Sequence, residues 1–376
     1  MLEVSSVLKK VALCDSIDYM KLITRFIDSI RILVIAGAVF TVLYIILAVR
    51  PLGTELFLIP VWTTDITHVQ ETDANEELFP FKLNKTLGYF TESGKIATSI
   101  AYDYKGTVSS NYYTTYNANA ERTPFFTAQG EDAGTIIDAG FPFFEDNRIY
   151  LFLPGGVGVE KCNADGSRNW IYEGSSPITA FASSSAGAIL GFADGNLVSL
   201  THEGVVDQSF APGGSDYPVI LGADMSDDGK FMACVSGQDR PRFVLAEKQD
   251  GHSRIIYHEY LAKNQTHQVL VHFDDKGDTV FFNYNGGVGI VSTKTQEHLH
   301  VSVPGTVMSM HETSVDDLTF ILSRDGENYT ISVVEPFASL LGSFTFKAQH
   351  AFMAVYNDKL YIGKDSRISQ VTVARK

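Results

Sequence analysis

The chain has 376 residues, of which 45% are hydrophobic and 19% charged, and its formal net charge is −15. This apolar content is sufficient for a buried core, which excludes a disordered chain. The acidic balance argues against nucleic-acid binding, because phosphate contacts need Lys and Arg. Three cysteines, Cys14, Cys162 and Cys234, are too few for a disulfide framework.

The first 31 residues carry a helical pattern. Apolar residues recur at intervals of three and four residues from Val4 to Ile30, which predicts an amphipathic helix. Such a helix either lies on a membrane surface or binds a partner. We predict that residues 1–31 form a cytoplasmic amphipathic segment.

An uncharged apolar run extends from Ile32 to Val49, between Arg31 and Arg50. At ~1.5 Å per residue, a helix of this length approaches the ~30 Å hydrocarbon core of a bilayer. The sequence therefore predicts a transmembrane signal-anchor helix over residues 32–49. Five Lys or Arg residues precede this run, and Arg50 alone follows it before Lys82. The positive-inside rule then predicts a cytoplasmic N-terminus and an extracytoplasmic C-terminal domain, in the periplasm or the extracellular space.

Residues 55–376 predict an all-β domain. Short apolar or alternating runs are separated by Gly, Asp and Asn turns, and a unit of turn, strand and turn recurs along the chain. The recurring turns are anchored at Gly94, Asn147, Gly187, Gly229, Gly277, Asp317 and Asp358, with spacings of 53, 40, 42, 48, 40 and 41 residues. This period is typical of a β-propeller. Seven anchors predict seven four-stranded blades, with six or eight left open by the long first spacing.

The end of the repeat array predicts how the ring closes. Eighteen residues follow Asp358, which is too few for the rest of a four-stranded blade. We expect an early strand, either Glu55–Trp62 or Thr63–Val69, to complete the last blade and protect its edge.

Residues 163–204 resemble the repeat of PQQ-like β-propellers. Gly166 and Trp170 match the G-x-x-x-W motif of that family, and Asp194, Gly195, Leu197 and Leu200 match its D-G-x-L-x-x-L motif. Residues 226–237 resemble WD40-type turns. The resemblance implies that these six residues are structural and that the tryptophan docks on the neighbouring blade. Trp170 is the only docking tryptophan that the sequence suggests.

The resemblance leaves the chemistry open, because fold alone does not determine function. Some extracytoplasmic members of the superfamily are quinoprotein dehydrogenases with vicinal cysteines. Others have no cofactor and act as scaffolds, among them an outer-membrane assembly factor. This chain has no Cys-Cys pair, so no cofactor is predicted.

Other motifs suggest weaker candidates. His298 and His300 share one face of a strand, and a metal site there would need His311 or His272 as a third ligand. The acidic runs Asp227–Gly229 and Asp274–Asp278 fit hairpin turns better than calcium loops. The segment Tyr102–Tyr116 is interpreted as an outer strand pair of the first blade, with a binding surface as the alternative. No catalytic, cofactor-binding or metal residue is predicted.

Three functions remain as hypotheses. The first is a protein-interaction scaffold, non-enzymatic and set in envelope assembly, in which rigid sheets present binding loops to a protein partner. The second is a propeller enzyme, a hydrolase or a degenerate quinoprotein, with a site in the central channel. The third is a ligand-sensing ectodomain. Convergent side chains on the inner strands of several blades would favour an enzyme.

Overall fold

The computed structural model of the protein describes residues 33–44, 56–73, 75–118, 120–313 and 318–375. The chain divides into two compact units, Met1–Thr54 and Glu55–Lys376. The predicted amphipathic segment 1–31 lies outside the described residues.

The described part of the first unit is a helix, α1, over residues 33–44. Its apolar side chains are exposed, with Leu33, Phe40 and Tyr44 at 75%, 72% and 64% of their full accessible surface. Among the described residues no helix is both long and apolar enough to span a membrane, so the prediction of a transmembrane helix over 32–49 is wrong on this finding.

The second unit consists of antiparallel sheets that we number as blades 1 to 8 in chain order. Blade 1 contains β2 (Leu78–Leu83), β3 (Thr86–Thr91) and β4 (Ile96–Ala101). Blade 2 contains β5 (Lys105–Val108), β6 (Tyr112–Tyr116), β7 (Thr123–Thr127) and β8 (Asp132–Ile136). Blade 3 contains β9 (Phe141–Glu145), β10 (Arg148–Phe152), β11 (Gly158–Cys162) and β12 (Arg168–Glu173). Blade 4 contains β13 (Ile178–Ser184), β14 (Gly187–Phe192), β15 (Leu197–Thr201) and β16 (Val206–Phe210).

The remaining blades follow the same order. Blade 5 contains β17 (Ile220–Met225), β18 (Phe231–Ser236), β19 (Arg242–Gln249) and β20 (His252–Tyr260). Blade 6 contains β21 (Val271–Phe273), β22 (Thr279–Tyr284), β23 (Gly287–Ser292) and β24 (His298–Ser302). Blade 7 contains β25 (Thr306–Glu312), β26 (Thr319–Asp325), β27 (Asn328–Glu335) and β28 (Ser339–Lys347). Blade 8 contains β29 (Ala351–Tyr356), β30 (Lys359–Lys364), β31 (Arg367–Arg375) and, from the start of the unit, β1 (Leu56–Asp65).

The fold is an all-β propeller of eight blades, and the prediction of seven is wrong. The missed blade is blade 2, which lies inside the long spacing between Gly94 and Asn147. The described residues of blade 1 form three strands, with an isolated bridge from Val69 to Ile96, and Gly94 follows the second of these strands rather than the first. The other anchors follow the first strand of their blades. Because the turn at Gly94 is not equivalent to theirs, the number of anchors falls one short of the number of blades. The segment Tyr102–Tyr116 accordingly spans the first two strands of blade 2 and is not an outer pair of blade 1.

The first strand of each blade lies at the centre of the ring, where it adjoins the first strands of its neighbours. The second strands are covered on both faces by adjacent blades, so they read as continuous apolar runs. The six residues of β14 and the six of β18 are all buried. Rings interlock between blades, as where Phe243 of blade 5 stacks on Phe282 of blade 6 with centroids 3.9 Å apart.

The ring closes as the sequence predicts. β1 pairs antiparallel with β31 along its whole length, from Leu56 with Arg375 to Asp65 with Arg367. The strand that starts the unit is therefore the outermost strand of its last blade, and the edge of β31 is protected.

Trp62 joins this closing strand to blade 1. Its indole Nε1 donates to the Glu92 carbonyl at 3.0 Å, and a Cβ on Gly94 would lie 2.7 Å from the ring. Trp170 makes the same contact from blade 3 to blade 4, donating to the His202 carbonyl at 2.8 Å. The expectation of a single docking tryptophan is therefore wrong, because Trp62 lies on a strand that pairs far from it in sequence.

Replacing Trp62 by alanine should lower the free energy of unfolding by about 3 kcal/mol, because the change removes a large packed ring and an indole hydrogen bond. The neighbouring Val61 is 56% exposed, so Val61→Ala should cost less than ~0.5 kcal/mol. Urea unfolding of both variants, followed by circular dichroism, measures the two losses. Equal losses would show that the indole does not secure the closure.

Candidate functional site

A cavity of about 530 Å³ lies inside the ring of first strands, on the side of blades 3 to 7. Its volume is within the ~300–1,000 Å³ range of ligand pockets. We call this cavity the funnel. Its walls come from β13, β17, β21 and β25, so the funnel is built on strands that the packing of the blades holds rigidly.

Three of these strands bulge near their starts. The registers of β13, β17 and β25 each shift by one residue relative to their neighbours. The extra residues are Thr179, Leu221 and Met308, and all three line the funnel. A β-bulge bends the strand and redirects the side chain of the extra residue. Met308 keeps 47% of its surface exposed as a result.

The segment before β21 forms the next part of the mouth. Asn283 fixes this segment through two hydrogen bonds to Leu270. The Asn283 Oδ1 accepts from the Leu270 N–H at 2.6 Å, and the Asn283 backbone N–H donates to the Leu270 carbonyl at 3.1 Å. Gln268 Nε2 donates to the Thr179 carbonyl at 2.6 Å, from blade 6 across to blade 4. Leu270 is fixed at the mouth with 39% of its surface exposed.

Aromatic residues take the corresponding positions in blades 2 and 3. Tyr104 precedes β5 and Phe141 begins β9, and they are 43% and 38% exposed. Lys105 Nζ lies 5.6 Å from the Tyr104 ring centroid and 5.0 Å from that of Phe141. Together with Ile178, Leu270 and Met308, these residues place apolar side chains at the starts of first strands in five blades. We call this set the rim.

Ionisable groups lie at the other ends of the first strands. His272 of β21 stands between two carboxylates, with Nε2 3.2 Å from Glu312 Oε1 of β25 and Nδ1 3.7 Å from Asp224 Oδ2 of β17. Asp224 also accepts from the N–H groups of Met225 and Phe273, each at 2.8 Å. This cluster links blades 5, 6 and 7 at the floor of the funnel.

The surroundings raise the pKa of both Asp224 and His272. Burial raises the pKa of Asp224 to about 6, although the charge of His272 opposes the rise. Burial alone would lower the pKa of His272, but the hydrogen bond and charge of Glu312, and then the charge of Asp224, raise it to about 9. His272 is therefore protonated at neutral pH. Its side chain keeps 42% of its surface open to the funnel, so water screens part of this charge.

Blades 3 and 4 are linked in a similar way. Ser183 Oγ donates to Glu145 Oε2 at 2.5 Å and accepts from Arg148 Nε at 2.9 Å. Burial raises the pKa of Glu145 against the opposing effects of Ser183 and Arg148. Glu145 also lines the funnel, so its carboxyl faces the same space as Asp224.

The hypothetical metal site is not assembled. His298 and His300 lie on the outer strand β24, where His300 contacts Glu259 Oε2 and the Tyr284 hydroxyl at 3.0 Å each. The suggested third ligands, His272 and His311, lie on first strands at the centre. Within the described part of the chain, no group of His, Cys, Asp or Glu side chains is placed to hold a metal ion.

The acidic runs form turns. Asp228 Oδ1 accepts from the Lys230 N–H at 2.9 Å, and Asp274 Oδ1 accepts from the N–H groups of Asp278 and Thr279 at 2.7 and 3.0 Å. These carboxylates cap the connection between the first and second strands, as Asp residues commonly do in turns. The interpretation of both runs as hairpin turns is confirmed.

The six residues of the family motifs lie away from the funnel. Gly166 and Gly195 have φ values of +86° and +87°, and an added Cβ would clash with the backbone of Thr135 and Pro218 respectively. Asp194 Oδ1 accepts from the Asn196 N–H at 3.1 Å, Leu197 and Leu200 are buried, and Trp170 is 9% exposed. Their contribution to stability stays a prediction.

Replacing His272 by glutamine should change how stability depends on pH. The pKa of His272 is raised on folding, so its stabilising effect is complete below its unfolded pKa of about 6.5 and is lost as the pH rises through about 9. The wild-type free energy of unfolding should therefore fall between about pH 6.5 and pH 9.5 by more than that of His272→Gln. Urea unfolding across this range measures the difference, with His252→Gln at the exposed start of β20 as the control. Parallel curves for wild type and His272→Gln would contradict the assignment.

Similar proteins agree with this architecture. The family profile of beta-propeller proteins matches residues 24–375. An uncharacterized protein of Treponema pallidum (strain Nichols) is 31% identical over 349 residues, which are 90% of this chain and 93% of that protein. The crystal structure of BamB from Moraxella catarrhalis superposes with a TM-score of 0.58 at 12% identity, covering 84% of this chain and 100% of that chain. An identity of 12% supports a shared fold and nothing more. The family match over residues 24–375 shows that this chain belongs to the beta-propeller protein family.

Proposed function

We propose that this β-propeller is a protein-interaction scaffold whose funnel takes an extended segment of a partner protein. The observation that carries the proposal is the set of bulges at one level of the ring. Thr179, Leu221 and Met308 come from three blades and all line the same cavity, where Met308 is 47% exposed and Leu221 is buried. Bulges concentrate beside binding sites because they re-aim side chains without loosening the sheet.

The rim supports a macromolecular occupant. Exposed apolar side chains that are scattered singly are ordinary, but a contiguous set marks a binding surface. Here exposed members occupy the starts of first strands in blades 2, 3, 6 and 7, and Ile178 of blade 4 is partly buried at the same level. An occupant that contacts them all has to extend across the mouth, as a polypeptide segment does. The rigid ring supplies the preorganisation that such binding needs.

The ionisable groups at the floor of the funnel limit which chemistry is available there. The raised pKa of His272 keeps it protonated at neutral pH, so it is not a general base. Burial raises the pKa of both Cys162 and Cys234 to about 12, so neither thiol is a ready nucleophile. A protonated imidazole between carboxylates can still orient a polar group of a bound segment. The enzyme hypothesis has support of its own, because Glu145, Asp224 and His272 converge on the funnel from the first strands of blades 3, 5 and 6. An enzyme with a site in the channel therefore stays the alternative.

The proposal extends to the class and setting of the scaffold. We assign the repeats to the PQQ-like and WD40-like type, with the paired geometry of Trp62 and Trp170 as support. The resemblance of residues 163–204 to repeats of extracytoplasmic scaffold propellers supports an extracytoplasmic location and a role in envelope assembly. The extracytoplasmic location and the role in envelope assembly are separate proposals that do not depend on the funnel.

Site-specific photo-crosslinking tests the funnel. A photoreactive amino acid placed at Met308 or at Leu270 of the full chain, in cells of the source organism, should yield adducts with one and the same polypeptide. Val206 is 47% exposed on the outermost strand of blade 4, so the same reagent there serves as the matched control and should not give that adduct.

A charge on the rim sharpens the test. Leu270→Asp should lower the adduct yield at position 308 by about tenfold, because binding would have to desolvate a carboxylate beside apolar side chains. Adducts that form equally from position 206, or a yield at position 308 that Leu270→Asp leaves unchanged, would overturn the proposal.

A further inference from the structure

A second cavity, of about 570 Å³, lies between the turns of blades 6, 7 and 8. It shares no lining residue with the funnel. The two adjoin at the hydrogen bond between His272, which lines the funnel, and Glu312, which lines the second cavity. We call the second cavity the inter-blade pocket.

Carboxylates dominate its lining. The acidic side chains come from three blades and face one lysine, Lys276; they are Asp274, Asp275, Asp278, Glu312, Glu335 and Asp358. Several of them already have partners: Lys294 Nζ pairs with Asp278 at 2.7 Å, backbone N–H groups saturate one oxygen of Asp274, and Glu312 Oε1 pairs with His272 at 3.2 Å. Burial, with a contribution from the charge of Glu312, raises the pKa of Asp274. The pocket thus concentrates negative charge in a partly enclosed space.

Two polar atoms in the pocket's wall have no partner within the described chain. The Glu312 Oε2 atom is buried and accepts no hydrogen bond. The Thr319 hydroxyl is also unpartnered, and Thr319 is 0% exposed. The two residues face each other across the pairing of β25 with β26. Buried polar atoms are nearly always satisfied, so two unsatisfied neighbours in one wall indicate that a ligand supplies the missing bonds.

The rest of the lining includes two aromatic residues beside Pro336, Val355 and Asn357. Phe281 is 1% exposed and packs in the core, whereas Phe337 is partly buried and has a φ of +59° in the turn that follows β27. A bulky residue in the left-handed region is strained, and such strain is concentrated at functional positions. The faces of aromatic rings attract cations.

We infer that the inter-blade pocket binds the guanidinium group of an arginine side chain presented by a partner protein. A guanidinium offers five N–H donors in one plane, which suits unsatisfied oxygens from several directions and stacks on an aromatic face. The described residues place no metal-binding group there, so an organic cation fits the charge better. The inference extends the scaffold function to a second contact and does not require the funnel to be occupied.

Calorimetric titration of the full-length protein with N-acetyl-arginine amide tests the inference. N-acetyl-citrulline amide, which has nearly the same shape and no charge, is the matched probe and should bind at least tenfold more weakly. Glu335→Gln should weaken the binding of the arginine probe about tenfold, because it removes one charge-assisted contact. Glu173→Gln, on an exposed residue of blade 3, should leave the binding unchanged.

Thr319→Val separates a loss of binding from a loss of folding. Removal of an unpartnered buried hydroxyl should leave the thermal midpoint equal to or above that of wild type, yet it should weaken the arginine probe severalfold. Equal affinity for the arginine and citrulline probes, no binding at millimolar concentration, or full affinity in both Glu335→Gln and Thr319→Val would overturn the inference. None of these results bears on adducts at Met308, so the pocket and the funnel fail independently.

Discussion

The pairing of β1 with β31 is the constraint on which the ring depends. Without it, blade 8 would expose the unpaired edge of β31, and no covalent link would hold blade 8 against blade 1. The pairing converts a row of blades into a closed ring in which every first strand has two neighbours. Trp62 then fixes the angle of closure by reaching from β1 to the turn of blade 1. The diameter of the funnel follows from this closure, since eight blades of similar width must share one axis.

Each interface between blades also carries a polar contact. From the interface of blades 1 and 2 round to that of blades 8 and 1, these are Lys82 to Gly106, Thr107 to Phe144, Ser183 to Glu145, Ser185 to Asp227, Asp224 to Phe273, His272 to Glu312, Tyr329 to Gln349, and Tyr356 to Pro80. Apolar packing between blades is not directional, so blades held by packing alone could slide. Directional bonds fix the register. In blades 5 to 7 this register is set by ionisable groups, which therefore also give the funnel its charge.

The sequence predicts the propeller and its closure, because turn spacing and strand alternation are local residue patterns that repeat from blade to blade. It misses blade 2 because Gly94 follows the second described strand of blade 1 and so marks a different turn from the one that Asn147 marks. The funnel is harder to predict. Asp224 and His272 each precede a turn glycine, Gly229 and Gly277, by five residues, and this shared position is a signal that an alignment of blades can find. The bulge at Met308 has no such signal, since it depends on how β25 pairs.

The funnel and the inter-blade pocket are coupled by the geometry of one side chain. Glu312 occupies the position in blade 7 that Phe273 occupies in blade 6, where Phe273 packs against the previous blade. A carboxylate in that position cannot be buried without compensation, and His272 supplies part of it through Glu312 Oε1. The other oxygen remains unpaired in the wall of the pocket. A cation there and the proton on His272 therefore share one carboxylate, and by linkage each must alter the free energy with which the other is held.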